Sequence, residues 1–223
     1  MKQESALFFL KPDGAARRAA GADVLSCLFE LGPRIEAFGQ LRPSTSFLGE
    51  SHYAIHRGKP FHPWLVQFVS SGPVVAAILR GENLVAKVRS LLGATFPENA
   101  APESVRGRFG IVGGLNVAHA SDSPENGEAE AALWRPLIES APEGSTALSE
   151  ATSLAETYVD RYRRFERVET ARYRTIHRAA SDRRIGNEEA RERFADLLDQ
   201  ESDLDRDTLD GIATAMVANA LMS

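Results

Sequence analysis

One cysteine, Cys27, occurs in 223 residues, so no disulfide can form within the chain. Only five histidines accompany it, which argues against a structural zinc site. No apolar run reaches the ~20 residues needed to span a bilayer. The N-terminus lacks a charged region followed by an apolar stretch and a cleavage site, so a reducing cytoplasm is the expected location. A large excess of either charge is also absent: 26 Lys and Arg against 31 Asp and Glu leave a formal charge of -5. That excludes a chain coating nucleic acid along its length and argues against nucleic acid as a partner. Also missing is the glycine-rich phosphate loop that ends in Gly-Lys-Ser/Thr, because Lys11 has no glycines ahead of it and is followed by Pro12. Cys27 falls in a helical pattern and reads as a small core residue.

What is present suits one domain of ordinary size plus an extension, with 43% apolar residues to build a core. Ala6 to Leu10 has the length and composition of a buried strand, and Pro12 with Asp13-Gly14 ends it so that Lys11 projects from the strand end. Val24, Leu25, Leu28 and Leu31 recur at helical spacing, and Gly32-Pro33 stops that helix. Arg34 to Leu41 reads as a second strand, and Ser44 as the N-cap of a short helix running toward His52-Tyr53. Trp64, Leu65, Phe68 and Val69 mark another helix, with the Phe61 ring ahead of it as either core or a stacking platform. Val74 to Leu79 is a buried strand, and Asn83 to Leu92 is helical up to Gly93. Thr95 to Val105 is rich in proline and polar residues, long enough for a functional loop. A last short strand at Val117-Ala118 adjoins His119, and Ser123-Pro124 opens a helix that carries Glu130 and ends near Trp134. This order predicts an α+β fold, a ferredoxin-like α/β sandwich whose antiparallel sheet is covered on one face.

The chemistry concentrates around His119, which lies among small and polar neighbours just past Gly113-Gly114. Taken alone, a histidine between two alanines is more often a satisfied core residue. Together, however, Lys11, Tyr53, Phe61, Arg89, Thr95, Arg106, Asn116, His119, Ser121 and Glu130 supply three cations, several hydrogen-bond donors, an aromatic face and a histidine backed by a carboxylate. That set suits holding a polyphosphate and moving its terminal phosphoryl group, which requires positioning and cations more than covalent help. A serine hydrolase is excluded, since Ser121, Asp122 and His119 are too close in sequence to converge as an independently oriented triad.

The chain resembles the nucleoside diphosphate kinase family in Phe-Leu-Lys-Pro-Asp-Gly at 9 to 14, His52-Tyr53, Lys-Pro-Phe at 59 to 61 and Ser-Gly-Pro-Val-Val at 71 to 75. The likeness continues through Arg89, Leu-Gly-Ala-Thr at 92 to 95, Arg106-Gly107 and Asn-Val-Ala-His-Ala-Ser-Asp-Ser at 116 to 123, from about Leu7 to Trp134. The resemblance implies ping-pong transfer of the terminal phosphoryl group from a nucleoside triphosphate to a nucleoside diphosphate, through a phosphohistidine on His119. It implies that Lys11, Tyr53, Arg89, Thr95 and Arg106 contact phosphates and Asn116 the ribose side. Phe61 would stack on the base, Leu65 would be among the nucleotide-binding residues, and Ser121 and Glu130 would orient His119. Mg2+ is expected to arrive on the phosphates, and the partners are nucleoside di- and triphosphates in a homo-oligomer, tetramer or hexamer. The chain departs from the family pattern at Gly113, where a valine usually stands opposite the stacking Phe, at Arg108 in place of an acid, and at Leu115. Altered base handling is the expectation from these. The competing reading is a non-catalytic nucleotide sensor on the same fold.

The resemblance divides the chain into a kinase-like domain at 1–139, a linker at 140–148 and a helical extension at 149–223. Leu154, Tyr158, Tyr162, Phe165 and Val168 trace one stripe of a long helix, and two shorter helices follow, one with Phe194, Leu197 and Leu198, the other with Leu209, Ile212, Met216 and Leu221. Between Asp160 and Arg184 nine arginines face four acids, which reads as a solvated basic face before a nucleic-acid surface. Asp203, Asp205 and Asp207 alternate as in a calcium loop, but Thr208 stands where glycine is required and no glutamate closes it, so they read as capping groups.

Overall fold

The computed structural model describes residues 3–145 and 147–222; Met1, Lys2, Ser223 and the predicted linker's Thr146 lie outside them. In chain order the elements are β1 (Gln3–Leu10), α1 (Pro12–Ala15), α2 (Arg18–Phe29), β2 (Arg34–Leu41), α3 (Thr45–Phe47), α4 (His62–Ser70), β3 (Val74–Glu82), α5 (Leu84–Leu92), α6 (Val105–Phe109), β4 (Ala118–Ala120), α7 (Pro124–Glu139), β5 (Glu143–Gly144), α8 (Leu148–Tyr162), α9 (Thr170–Ser181), α10 (Asn187–Glu201) and α11 (Arg206–Ala220). A π turn at Leu48–His52 and 3₁₀ turns at Ala54–His56 and Pro97–Asn99 complete them. The sheet order is β4-β1-β3-β2-β5, and every neighbouring pair is antiparallel.

The strand alternation sorts two cores, one on each face of the sheet. Leu7 and Phe9 of β1 with Val74, Ala76 and Ile78 of β3 face α4, α7 and the C-terminal helices. Ala6, Phe8 and Leu10 with Val75, Ala77 and Leu79 face α2, α5 and α8. The sheet is therefore covered on both faces rather than one. Its near-continuous apolar strands require this, because a single covered face would leave half of those side chains in water.

Several boundaries differ from the sequence reading. α7 continues past Trp134 to Glu139, with Pro136 inside it, and Cys27 is only half-buried. The stretch read as a linker contributes β5, whose Gly39–Gly144 and Gln40–Glu143 pairs extend the sheet beyond β2. Beside it Ser145 receives the Phe38 N–H on its hydroxyl and donates its own N–H to the Phe38 carbonyl. The predicted long helix stops at Tyr162, short of Phe165 and Val168, and a further helix, α9, starts at Thr170. Ser44, Ser123 and Asp205 are N-caps, each side chain accepting a backbone N–H of the first turn.

The C-terminal helices belong to the same packed body. α8 lies over the sheet, with Tyr158 edge-on to Phe38 at 5.9 Å between centroids. α11 runs along α4: Trp64 donates its indole N–H to the Ala215 carbonyl at 2.9 Å, and Ile212 abuts Gly72 just past the end of α4. The Arg17 guanidinium and the Glu201 carboxylate form an ion pair at 3.1 Å with side chains 1% and 0% exposed, joining the start of α2 to the end of α10.

Candidate active site

β4 is only three residues long, yet its register fixes the site, because His119 pairs with Phe9 of the adjacent β1. The two rings stack at 4.8 Å with 17° between planes. Just before β4, Val117 has φ of 74°, a left-handed conformation that is strained for a β-branched residue. It is held there from both sides: its N–H donates to the Asp13 carboxylate at 3.0 Å, and its carbonyl accepts the Lys11 N–H at 2.8 Å. A Cβ at Gly14 would lie 2.6 Å from that same carbonyl, so only glycine admits the approach. Thus the Lys-Pro-Asp-Gly run after β1 and the segment before His119 are braced against each other.

α7 delivers Glu130 to the imidazole. Its Oε2 accepts from His119 Nε2 at 3.1 Å and from the Ser121 hydroxyl at 2.6 Å. Burial works to raise the Glu130 carboxyl, but the hydrogen bonds and charges of His119 and the Ser121 hydroxyl outweigh it, so the group lies below the usual carboxylate range. An ionised Glu130 accepts only, which assigns the proton to Nε2 and leaves the neutral ring's lone pair on Nδ1. Ser121 is itself fixed to β1, receiving the Leu7 N–H at 3.0 Å.

His52, delivered by the π turn, stands edge-on to His119 with centroids 4.7 Å apart. The buried Trp134 indole donates to its Nδ1 at 3.2 Å, so the His52 proton is on Nε2. Burial and the neighbouring His119 push its pKa down to about 3, and the ring is neutral at physiological pH. Tyr53 follows, 6.4 Å from His119 between ring centroids, and burial with Glu130 nearby raises its phenol far above the ordinary range. From Tyr53 the aromatic line runs through His56 at 6.1 Å to Phe61 at 5.4 Å, and Phe61 is 42% exposed.

Lys11 and Arg106 supply the cations. Lys11 Nζ donates to Asn116 Oδ1 at 2.8 Å and to the Gly114 carbonyl at 3.3 Å, while Asn116 donates to the Thr95 carbonyl at 2.8 Å. Arg106 donates to the carbonyls of Ala118 at 3.0 Å and Gly93 at 3.1 Å. These acceptors are neutral, so they orient the cations without cancelling their charge. Burial pushes the Lys11 ammonium down to about 8, against the pull of Asp13, and burial with the adjacent Arg89 pushes Arg106 down to about 10. Asp13, wholly buried, is raised by that burial against the pull of Lys11.

Of the residues expected at the site, Lys11, Tyr53, Arg106, Asn116, His119, Ser121 and Glu130 are joined by these contacts. Arg89 and Thr95 are exposed beside Arg106 and Asn116. Leu65, on α4, is 8% exposed and packed in the core, presenting little surface to a ligand. The role of Asp13 and the Phe9, His52 and Trp134 box were not legible in the sequence. His52 appeared there only as the neighbour of Tyr53, and what it does depends on strand register. Buried polar atoms without a partner among the described residues are Asp13 Oδ1, His52 Nε2, Tyr53 Oη, His62 Nε2 and Arg106 Nε. His52 and Tyr53 contact the His119 ring, and Asp13 and Arg106 bond the backbone of Val117 and Ala118 just before it, as befits a site that receives a polar ligand.

Comparison with known proteins decides what this arrangement belongs to. The family model described as nucleoside diphosphate kinase matches residues 4–139. The chain belongs to the nucleoside diphosphate kinase family. The nucleoside diphosphate kinase of Synechococcus elongatus is 43% identical over 131 residues, 59% of this chain and 87% of that protein. That of Archaeoglobus fulgidus is 44% identical, covering 59% and 85%. Among solved structures, the Aquifex aeolicus nucleoside diphosphate kinase is similar with a TM-score of 0.56 at 41% identity, over 59% of this chain and 94% of that one. The halophilic enzyme of Halobacterium salinarum in complex with CDP is similar with a TM-score of 0.56 at 36% identity, over 60% and 88%. The activity is accordingly that of a nucleoside diphosphate kinase, and the non-catalytic sensor reading is not favoured. Residues 140–223 lie beyond the family match.

Proposed function

We propose that this nucleoside diphosphate kinase works through a phosphohistidine at His119, in two half-reactions of the same chemistry. The Nδ1 lone pair attacks the terminal phosphorus of a nucleoside triphosphate. A P–N bond forms, the P–O bond to the leaving diphosphate breaks, and the nucleoside diphosphate departs. A second nucleoside diphosphate then attacks that phosphorus through a terminal oxygen, and the P–N bond breaks. The single observation that carries this reading is the Glu130–His119 contact, which spends Nε2 and leaves Nδ1 as the nucleophilic atom. Lys11, Arg89 and Arg106 would meet the charge on the phosphoryl oxygens, and the partnerless Tyr53 hydroxyl and Arg106 Nε would find acceptors there. Phe61, the exposed ring at the end of the aromatic line, would stack on the base, and Asn116 would face the ribose. Initial rates over both substrates test the scheme: parallel double-reciprocal lines are expected, and intersecting lines would reject a free phosphoenzyme.

Mg2+ enters this proposal bound to the nucleotide. Among the described residues the one trio able to hold an ion is His52, His119 and Glu130. Glu130 is already engaged by His119 and Ser121, and Asp13 and Asp122 by Val117 N–H and the Asn126 amide. Mg2+ prefers oxygen ligands and retains water, so in this proposal it is carried on phosphate oxygens. When bound, it neutralises part of the polyphosphate charge. Chelation of Mg2+ is expected to stop turnover and its return to restore it; unchanged turnover in excess chelator contradicts this part.

A symmetric homo-oligomer in the cytoplasm completes the proposal. No helix among the described residues is long and apolar enough to cross a membrane. Because β5 lies along the outer edge of β2 and α8 packs against α2, subunit contacts would use other surfaces. A tetramer or hexamer mass in solution is expected, and a monomer at working concentration contradicts it.

A further inference from the structure

The stretch of nine arginines contains one whose position is not that of a solvated face. Arg174, on the side of α9 turned toward the kinase domain, donates from Nη2 to the Gly107 carbonyl at 2.8 Å. It reaches the Gly110 carbonyl twice, from Nη2 at 2.7 Å and Nε at 3.0 Å. Arg17 adds Nη1 to the Phe109 carbonyl at 2.8 Å. These three carbonyls are the C-terminal end of α6, the five-residue helix whose second residue is Arg106. A helix this short has few internal hydrogen bonds, and its last carbonyls require outside donors; two guanidinium groups meet them with charge of the favourable sign. At the other end the Ser104 hydroxyl caps the Gly107 N–H at 3.1 Å.

Arg17 is fixed by the same C-terminal helices. Its Nε and Nη2 donate to Glu201 at 3.1 Å and Thr170 at 2.8 Å, and Glu201 also receives the Tyr173 hydroxyl at 2.6 Å and the Val168 N–H at 3.1 Å. Arg17 and Glu201 are buried and Arg174 half-buried, and each has hydrogen-bond partners, so the group holds a defined geometry. From α6 that geometry passes to the Arg106 side chain, which bonds the Ala118 carbonyl one residue before His119.

We infer that the C-terminal helices are part of the phosphate site, with Arg174 a positioning residue that sets α6 so that Arg106 meets the phosphoryl group. The inference rests on the proposed phosphate-binding role of Arg106. It assigns the extension an internal function and gives Arg174 an effect on turnover without contact to substrate. A misplacement of about 1 Å in a charge-stabilising group is enough to cost on the order of 10²-fold in rate.

The test is a double-mutant cycle on kcat/KM in the full-length chain, with Arg174→Ala, Arg106→Ala and the pair. Arg174→Ala is expected to lower kcat/KM by about 10-fold or more, Arg174→Lys to recover part of it, and the double variant to be no worse than Arg106→Ala alone. Arg167→Ala, which removes an exposed 2.7 Å ion pair between the extension and Asp23, serves as the control for mere loosening and is expected to leave kcat/KM unchanged. Should Arg174→Ala fail to fold, Arg174→Gln, which keeps one amide donor, takes its place in the cycle with the same expectation. If Arg106→Ala is impaired while the Arg174 variant matches wild type, or if the two losses multiply, the positioning role is overturned. If Arg106→Ala itself retains full kcat/KM, the phosphate-site reading fails and takes this inference with it.

Discussion

Lys11 ties the site to pH. It is useful to a polyphosphate only when protonated, and burial has pushed its pKa down to about 8. The charged form prevails below that value, so kcat/KM, which reports the free enzyme, is expected to hold at neutral pH and to decline as pH rises through about 8. An ordinary lysine would hold to about pH 10, and a profile flat to that point contradicts the burial argument. Glu130 gives a second test at this scale. Glu130→Gln keeps the shape but loses the charge that fixes the His119 tautomer, and is expected to lower kcat on the order of 10²-fold with KM little changed. A kcat near wild type would separate Glu130 from the chemistry. Local motifs made His119, Lys11 and Asn116 legible in the sequence. Asp13 was visible only as a turn residue, because its bond to the strained Val117 spans 104 positions that no local pattern connects.

Among the elements, the caps were read correctly because Ser44 and Ser123 act within three residues of themselves. Ser123→Ala is expected to cost about 1 kcal/mol, lowering the thermal midpoint by roughly 2–4 °C; no shift would mean that the α7 cap is idle. The helix boundaries that differed have tertiary causes. The apolar stripe of α8 points on through Phe165 to Val168, yet the chain breaks after Tyr162, and the Val168 N–H is used by buried Glu201 instead. The basic run from Asp160 hid α9 in the same way: its arginines look uniformly solvated until α6 supplies carbonyls for Arg174. Glu201 is the sharpest element-level test. Glu201→Ala leaves Arg17 buried without its counter-charge and is expected to destabilise the protein by about 3–5 kcal/mol, read by chemical denaturation. A loss under about 1 kcal/mol, the range of an exposed pair, contradicts the buried lock.

For the whole molecule, the division into a kinase domain, linker and tail gives way to one body in which β5 extends the sheet and α8 and the α9–α11 helices complete the two cores. The family-like part was legible because its motifs are dense, and the extension's helices were legible by periodicity. Their docking was not, since it depends on Trp64 meeting Ala215 and Gly72 meeting Ile212. Shared cores predict a single cooperative unfolding transition by calorimetry, and two separated transitions would show that the extension is an independent domain. The proposed convergence of the fold on one imidazole nitrogen is open to a direct test. Incubating the full-length protein with terminally labelled ATP and mapping the acid-labile, alkali-stable phosphate is its most direct measurement. The expected result is label on Nδ1 of His119, discharged by added nucleoside diphosphate and absent from His119→Ala. Label on any other residue, or undiminished label in that variant, would contradict the account.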